Sequence, residues 1–189
     1  MNTQLRVLLA DPEQLVRLGF RMLIEQCGDI VVVGEAADLD SAFRKARELR
    51  PDVVIADVRL GGDCDGVDLA EALRSATPDA GVLMLSTADC DELAFAALRA
   101  GARGFLLKNS SEHDLLAAVR RVARGDAVVE PRVTARLLQL FGGRLPSCDE
   151  IVNGSRTIES LLRDPRLAEL TEREYEIFGL VANGHSNVE

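Results

Sequence analysis

Five short apolar runs recur along the first two thirds of the chain, each followed by a turn and then by apolar residues at helical spacing. No other feature restricts the fold as much. The runs occupy residues 5–10, 30–34, 53–56, 81–85 and 104–107, and all are rich in Val, Ile and Leu. They are nearly continuous rather than alternating, the pattern of strands covered on both faces in a parallel sheet.

The segments between the runs read as helices. Leu15, Leu18, Met22 and Leu23 form a first stripe, with Gly28 placed to stop it. Ala42, Phe43, Ala46 and Leu49 form a second, ended by Pro51; Val67, Leu69, Ala70 and Leu73 form a third. Leu93, Ala96, Ala97 and Ala100 make a fourth ahead of Gly101. The fifth opens on a capping box, Ser111 with Asp114, and continues through Leu115, Leu116, Val119 and Val122. Each stripe reads as a face packed on a core. Alternating strands and helices with short connections predict an α/β domain over residues 1–126. It would have a doubly wound five-stranded parallel sheet, right-handed crossovers and helices on both faces.

After Gly125 the rhythm stops. Val133, Leu137, Leu138 and Phe141 support one more helix beyond Pro131, and residues 142–147 read as a break. Residues 127–170 are therefore expected to form a helical linker. Thr171-Glu172-Arg173-Glu174 is a second capping box, opening a helix with Ile177, Phe178 and Val181 on one face and Asn183-Gly184 at its close. Residues 171–189 are expected to begin a further helical domain.

Charge and composition narrow the function. There are 22 basic against 31 acidic residues, a net −9, of which residues 1–126 carry −6 and residues 127–189 carry −3. That balance disfavours broad contact of this stretch with nucleic acid or an anionic membrane. No apolar run approaches the roughly 18 residues of a membrane span, and residues 1–6 lack the plan of a signal peptide. A cytoplasmic location is expected. Cys27, Cys64, Cys90 and Cys148 form no CxxC pair, which disfavours zinc or a disulfide framework. With no Trp and 4% aromatic residues, base-stacking platforms are scarce.

Ligands of open parallel sheets bind beyond the carboxyl ends of the strands. The residues there are Asp11, Pro12 and Glu13 after the first run, Asp57 after the third, Ser86 and Thr87 after the fourth, and Lys108 after the fifth. Singly, each has a duller role: helix cap, turn hydroxyl or solvated lysine. Together they suit phosphoryl transfer to a carboxylate. An Asp oxygen attacks phosphorus, a hard cation such as Mg²⁺ screens the acids from the incoming oxygens, and Lys108 and Ser86 receive those oxygens.

Val7-Leu8-Leu9-Ala10-Asp11, Pro51-Asp52-Val53-Val54-Ile55-Ala56-Asp57 and Gly101-Ala102-Arg103-Gly104-Phe105-Leu106-Leu107-Lys108 resemble the receiver domain of bacterial two-component response regulators. The resemblance implies a flavodoxin-like sheet in the order 2-1-3-4-5. It also implies Asp57 as phospho-acceptor, Asp11 in an acidic Mg²⁺ pocket, the Arg59 main-chain carbonyl as a further metal ligand, and Lys108 as the phosphoryl-binding lysine. Ser86 and Phe105 match the switch hydroxyl and switch aromatic. The stretches from Leu170 to Ile177 and from Val181 to Glu189 are similar to the opening of a LuxR-type helix-turn-helix domain, which points to the NarL/FixJ class. The resemblance implies a sensor histidine kinase as partner and homodimerisation through the receiver, at the surface of strand five and its flanking helices. It also implies DNA binding by a longer parent rather than by this stretch, so the chain is expected to be a truncation within the DNA-binding domain.

Two departures qualify the metal site. Pro12 stands where the family usually carries a second acid, leaving Glu13 as the alternative oxygen donor. The loop of residues 60–66 is one residue longer than the usual pattern and lacks its proline. They raise a second reading, an atypical receiver with impaired Mg²⁺ chemistry, regulated by dimerisation or a ligand. An enzyme on this fold is disfavoured. Asp57-Val58-Arg59 lacks the second acid of Asp-based phosphatases, and Asp11-Pro12-Glu13-Gln14 would repel a flavin phosphate.

Overall fold

This computed structural model describes residues 4–62, 65–87 and 91–129, with the side chains of all but residues 91 and 92. The expectations for residues 131–189, including the linker helix and the second capping box, lie outside the described residues. The chain divides into two units, Met1–Val128 and Val129–Glu189, and the first carries the α/β fold.

Strands and helices alternate in the order β1 (Leu5–Ala10), α1 (Gln14–Glu25), β2 (Ile30–Ala36), α2 (Leu39–Leu49), β3 (Val53–Asp57), α3 (Asp65–Ala76), β4 (Gly81–Ser86), α4 (Asp91–Ala100), β5 (Gly104–Leu107), α5 (Glu112–Ala123) and β6 (Val128–Val129). The sheet order is β2-β1-β3-β4-β5-β6, and the pairs among β1 to β5 are parallel. The predicted order 2-1-3-4-5 is present, with a correction: a sixth strand lies beside β5. Its two residues are too few to carry a periodic signal. It is set by the turn at Gly125 (φ 93°) and by the Val128 N–H, which donates to the Arg103 carbonyl at 2.8 Å.

The continuous apolar runs are explained by burial on both faces. Val7, Leu9, Val53, Ile55, Leu83 and Leu85 pack with Ile24 of α1 and with Leu115, Leu116, Val119 and Val122 of α5. The alternate residues, among them Leu8, Val54, Ala56 and Met84, are equally buried. Glycine lets α5 sit close: a Cβ on Gly81 would lie 2.5 Å from Val122 Cγ1. The Ser111 capping box forms, its hydroxyl accepting from the Asp114 N–H at 3.1 Å.

The first stripe corrects the sequence reading. Leu15, Leu18 and Met22 are exposed, at 81%, 50% and 59%, while Ile24 on the other side of α1 is fully buried. Helix α1 has two apolar faces. The inner one runs through Phe20, Ile24 and the neighbouring Cys27, and the outer one is left in solvent.

Candidate functional site

The residues buried in spite of being polar or charged identify the site. Among the described residues these are Asp11, Asp57 and Ser86, at 4%, 8% and 3% exposure, and they stand at the carboxyl ends of β1, β3 and β4. Lys108 follows β5, held by its main-chain N–H on the Ser86 carbonyl at 2.8 Å. The parallel register brings these four strand ends together, which is why residues 97 positions apart in sequence meet.

The two carboxylates divide their oxygens in the same way. Asp11 Oδ1 accepts the Glu13 N–H at 2.8 Å, and Asp57 Oδ1 accepts the Arg59 N–H at 3.0 Å, each closing a tight turn two residues on. The Oδ2 atoms both face Lys108 Nζ, at 2.6 Å from Asp11 and 2.5 Å from Asp57. The Lys108 side chain is 10% exposed. Burial draws its pKa down, but hydrogen bonding and charge from Asp11 and Asp57 outweigh that and hold it above the ordinary lysine value.

The chain has 20 Arg and only two Lys, and Lys108 is one of the two. Its compact ammonium suits the narrow space between the two carboxylate oxygens.

Phe105 is fully buried, in β5 ahead of Lys108. Glu13 and Arg59 are exposed, and each meets the site through its main-chain N–H. Thr87 is also exposed, beyond the end of β4. The start of α3 packs tightly on the end of β3: a Cβ on Gly66 would lie 2.0 Å from the Asp57 carbonyl.

The oxygen donors suit a hard divalent cation. Asp11 Oδ2 is buried and, beyond its ion pair with Lys108 Nζ at 2.6 Å, has no hydrogen-bond partner, so a cation there would displace the ammonium. The donors are few, however. Among the described residues no three acidic, histidine or cysteine side chains gather at one point.

Two functional candidates were not evident from sequence. Arg17 and Glu35 sit behind the β1–α1 turn, with Arg17 Nε 3.1 Å from Glu35 Oε2. A charged residue inside an apolar strand was the available signal, but β2 extends to Ala36 and so takes in Glu35 beyond the apolar run.

Parallel strand ends that present two carboxylates, a hydroxyl and a lysine define a receiver-type site. Residues 7–120 match the response regulator receiver domain family, and the chain belongs to that family. It is 34% identical over 185 residues to the oxygen regulatory protein NreC of Staphylococcus carnosus (strain TM300), covering 98% of this chain and 80% of that protein. The signal receiver domain of NarL from Mycobacterium tuberculosis is 36% identical, with a TM-score of 0.62, over 65% of this chain and 98% of that one. A LuxR-family two-component response regulator from Aurantimonas sp. SI85-9A1 is 30% identical, with a TM-score of 0.67, over 73% of this chain and 98% of that one. No helix among the described residues is long and apolar enough to cross a membrane.

Proposed function

We propose that this chain is a phosphorylation-controlled switch in which Asp57 is the phospho-acceptor. The supporting observation is that Asp11, Asp57 and Ser86, the buried polar residues of the described chain, gather with Lys108 at one edge of the sheet. The Asp57 carboxylate attacks the phosphorus of a phosphohistidine on a sensor kinase, or of a small phosphodonor. A P–O bond forms to Asp57 as the P–N or P–O bond to the donor breaks, and the donor leaves with the electron pair. Mg²⁺, when bound, neutralises the crowded oxygens; Asp11, Asp57 and the Arg59 carbonyl would hold it, with Glu13 within the same turn. Lys108 gives up its position between the carboxylates to meet a phosphoryl oxygen, and Ser86 donates its hydroxyl to another. Phe105, buried in the state described here, is the aromatic that reports the change.

The output follows the class. Phosphorylation favours a homodimer that places DNA-binding domains on paired half-sites. The surface of β5 and its flanking helices is the face we assign to that homodimer. Beryllofluoride with Mg²⁺ tests the acceptor: an adduct is expected on the unmodified protein and none on Asp57→Ala. An adduct that persists in Asp57→Ala would reject the assignment.

One observation favours the atypical reading. Lys108 occupies the free oxygen of both carboxylates, and Pro12 brings no acid to displace it. On that reading Mg²⁺ titration gives no binding, and Pro12→Asp creates it; measurable binding by the unmodified protein rejects it.

A further inference from the structure

The turn carrying Asp11 has an unusual support. Its main-chain donors are few, because Pro12 has no N–H. The Asp11 N–H goes to the Ala36 carbonyl at 3.1 Å, and the Glu13 N–H goes to Asp11 Oδ1. Its carbonyls are taken by one side chain. Arg17 Nη1 donates to the Asp11 carbonyl at 2.7 Å and to the Pro12 carbonyl at 3.3 Å.

Arg17 is itself fixed from behind. Its Nε donates to Glu35 Oε2 at 3.1 Å, and its side chain is 14% exposed. Glu35 is held in turn by Arg21 Nε at 2.7 Å, and its main-chain carbonyl accepts from Lys45 Nζ. Arg17 also lines, with Leu9, Phe20, Ile55 and Leu85, a space beneath Asp11 and Asp57 that is too small to hold a water molecule. A guanidinium with several donors in a rigid fork can tie two carbonyls and a carboxylate at once; an ammonium has no such geometry.

We infer that Arg17, anchored by Glu35, is a positioning residue for the acid pocket. It fixes the Asp11-Pro12 turn so that Asp11 is held beside Asp57 before any cation arrives. This rests on the reading of Asp57 and Asp11 as the phospho-acceptor site. In a pocket with one fewer carboxylate, pre-ordering the remaining one matters more, since a loose turn must be ordered at the moment of binding.

Arg21 provides an internal control. It pairs with the same Glu35 and with Glu25 at 3.2 Å, but bonds to no carbonyl of the turn. A purely structural α1–β2 tie would make Arg17 and Arg21 equivalent. A purely electrostatic role would make removal of Arg17 tighten Mg²⁺ binding, because a positive charge near the acids is lost. Positioning predicts the opposite sign.

The test uses the full chain. Mg²⁺ is titrated by calorimetry with and without beryllofluoride, and hydrogen exchange of the Glu13 amide is followed by NMR in the absence of metal. Arg17→Met is expected to weaken Mg²⁺ roughly tenfold and to speed Glu13 exchange by a similar factor, the loss of one or two charge-assisted hydrogen bonds. Arg17→Lys should fall between Arg17→Met and the unmodified protein, and it carries the test if Arg17→Met is too unstable to purify. Arg21→Met, which leaves both bonds to the turn carbonyls in place, should have a clearly smaller effect than Arg17→Met in both readouts. Unchanged or tighter Mg²⁺ binding in Arg17→Met, or equal effects in Arg21→Met, overturns the inference. If the unmodified protein takes neither Mg²⁺ nor beryllofluoride, the phospho-acceptor reading fails. The Glu13 exchange comparison then decides the clamp by itself: faster in Arg17→Met than in Arg21→Met supports it, and equal rates reject it.

Discussion

Replacing Lys108 by Met isolates the arrangement that dominates the site. In the native protein one ammonium lies 2.6 Å from Asp11 Oδ2 and 2.5 Å from Asp57 Oδ2, with side chains 10%, 5% and 11% exposed. At an effective dielectric of 20, each pair has a gross attraction of about 6 kcal/mol, most of it offset by the cost of taking the charges out of water. Removing the cation forfeits the attraction without returning the carboxylates to water, so the expected net loss is roughly 3–5 kcal/mol at neutral pH without metal. In the native protein the Lys108 pKa is raised, so its contribution is complete below the ordinary lysine value of about 10.4 and is lost only as pH rises through the raised one. Urea unfolding followed by far-UV circular dichroism at about pH 7 measures the loss, and Mg²⁺ should restore part of it. A loss under about 1 kcal/mol would show that the carboxylates do not depend on Lys108, and the reasoning would fall.

Three further outcomes are expected. Leu18→Gln should change stability by no more than about 0.5 kcal/mol, whereas Ile24→Ala, on the opposite face of α1, should cost roughly 2–5 kcal/mol; thermal melts separate the two. Gly66→Ala places a Cβ where the Asp57 carbonyl and Met84 Cε stand, at 2.0 and 2.8 Å. It should cost about 1–3 kcal/mol and slow adduct formation with beryllofluoride, because relief of the clash moves the backbone of Asp57. Glu35 has a carboxyl pushed up by burial but pulled further down by Arg21 and Arg17, so its net pKa is lowered. Its contribution is present above about pH 4.5 and lost as pH falls through the lowered value, so Glu35→Gln should flatten the acid limb of the stability curve measured by denaturant titration.

The fold was legible because its strands are buried on both faces, and a run such as Val53-Val54-Ile55-Ala56 has no other place in a small domain. Asp11, Asp57, Ser86 and Lys108 could be gathered from the sequence for a positional reason: each ends a strand or directly follows one, and a parallel sheet brings those ends together. Helix α1 was misread because spacing alone does not tell which of two apolar stripes faces the core. Leu15-Leu18-Met22 and Phe20-Ile24 both follow helical spacing, and only packing against α5 and the sheet chooses between them. The Arg17–Glu35 tie was hidden because its members lie 18 residues apart and the end of β2 falls beyond its apolar run. Strand β6 was missed because two residues make no pattern.

The scarcity of lysine has a practical consequence. A lysine-specific protease can cut this sequence only after Lys45 and Lys108, so one fragment, residues 46–108, contains Asp57, Ser86, Phe105 and Lys108 together. Acylating reagents attack the neutral amine, and an ammonium locked between two carboxylates resists them. In Asp57→Ala, where one of the two partners is gone, acylation of Lys108 should be faster, and an acylated Lys108 blocks the second cut. A peptide map therefore reads how firmly the pair holds the ammonium, as the loss of a single cleavage.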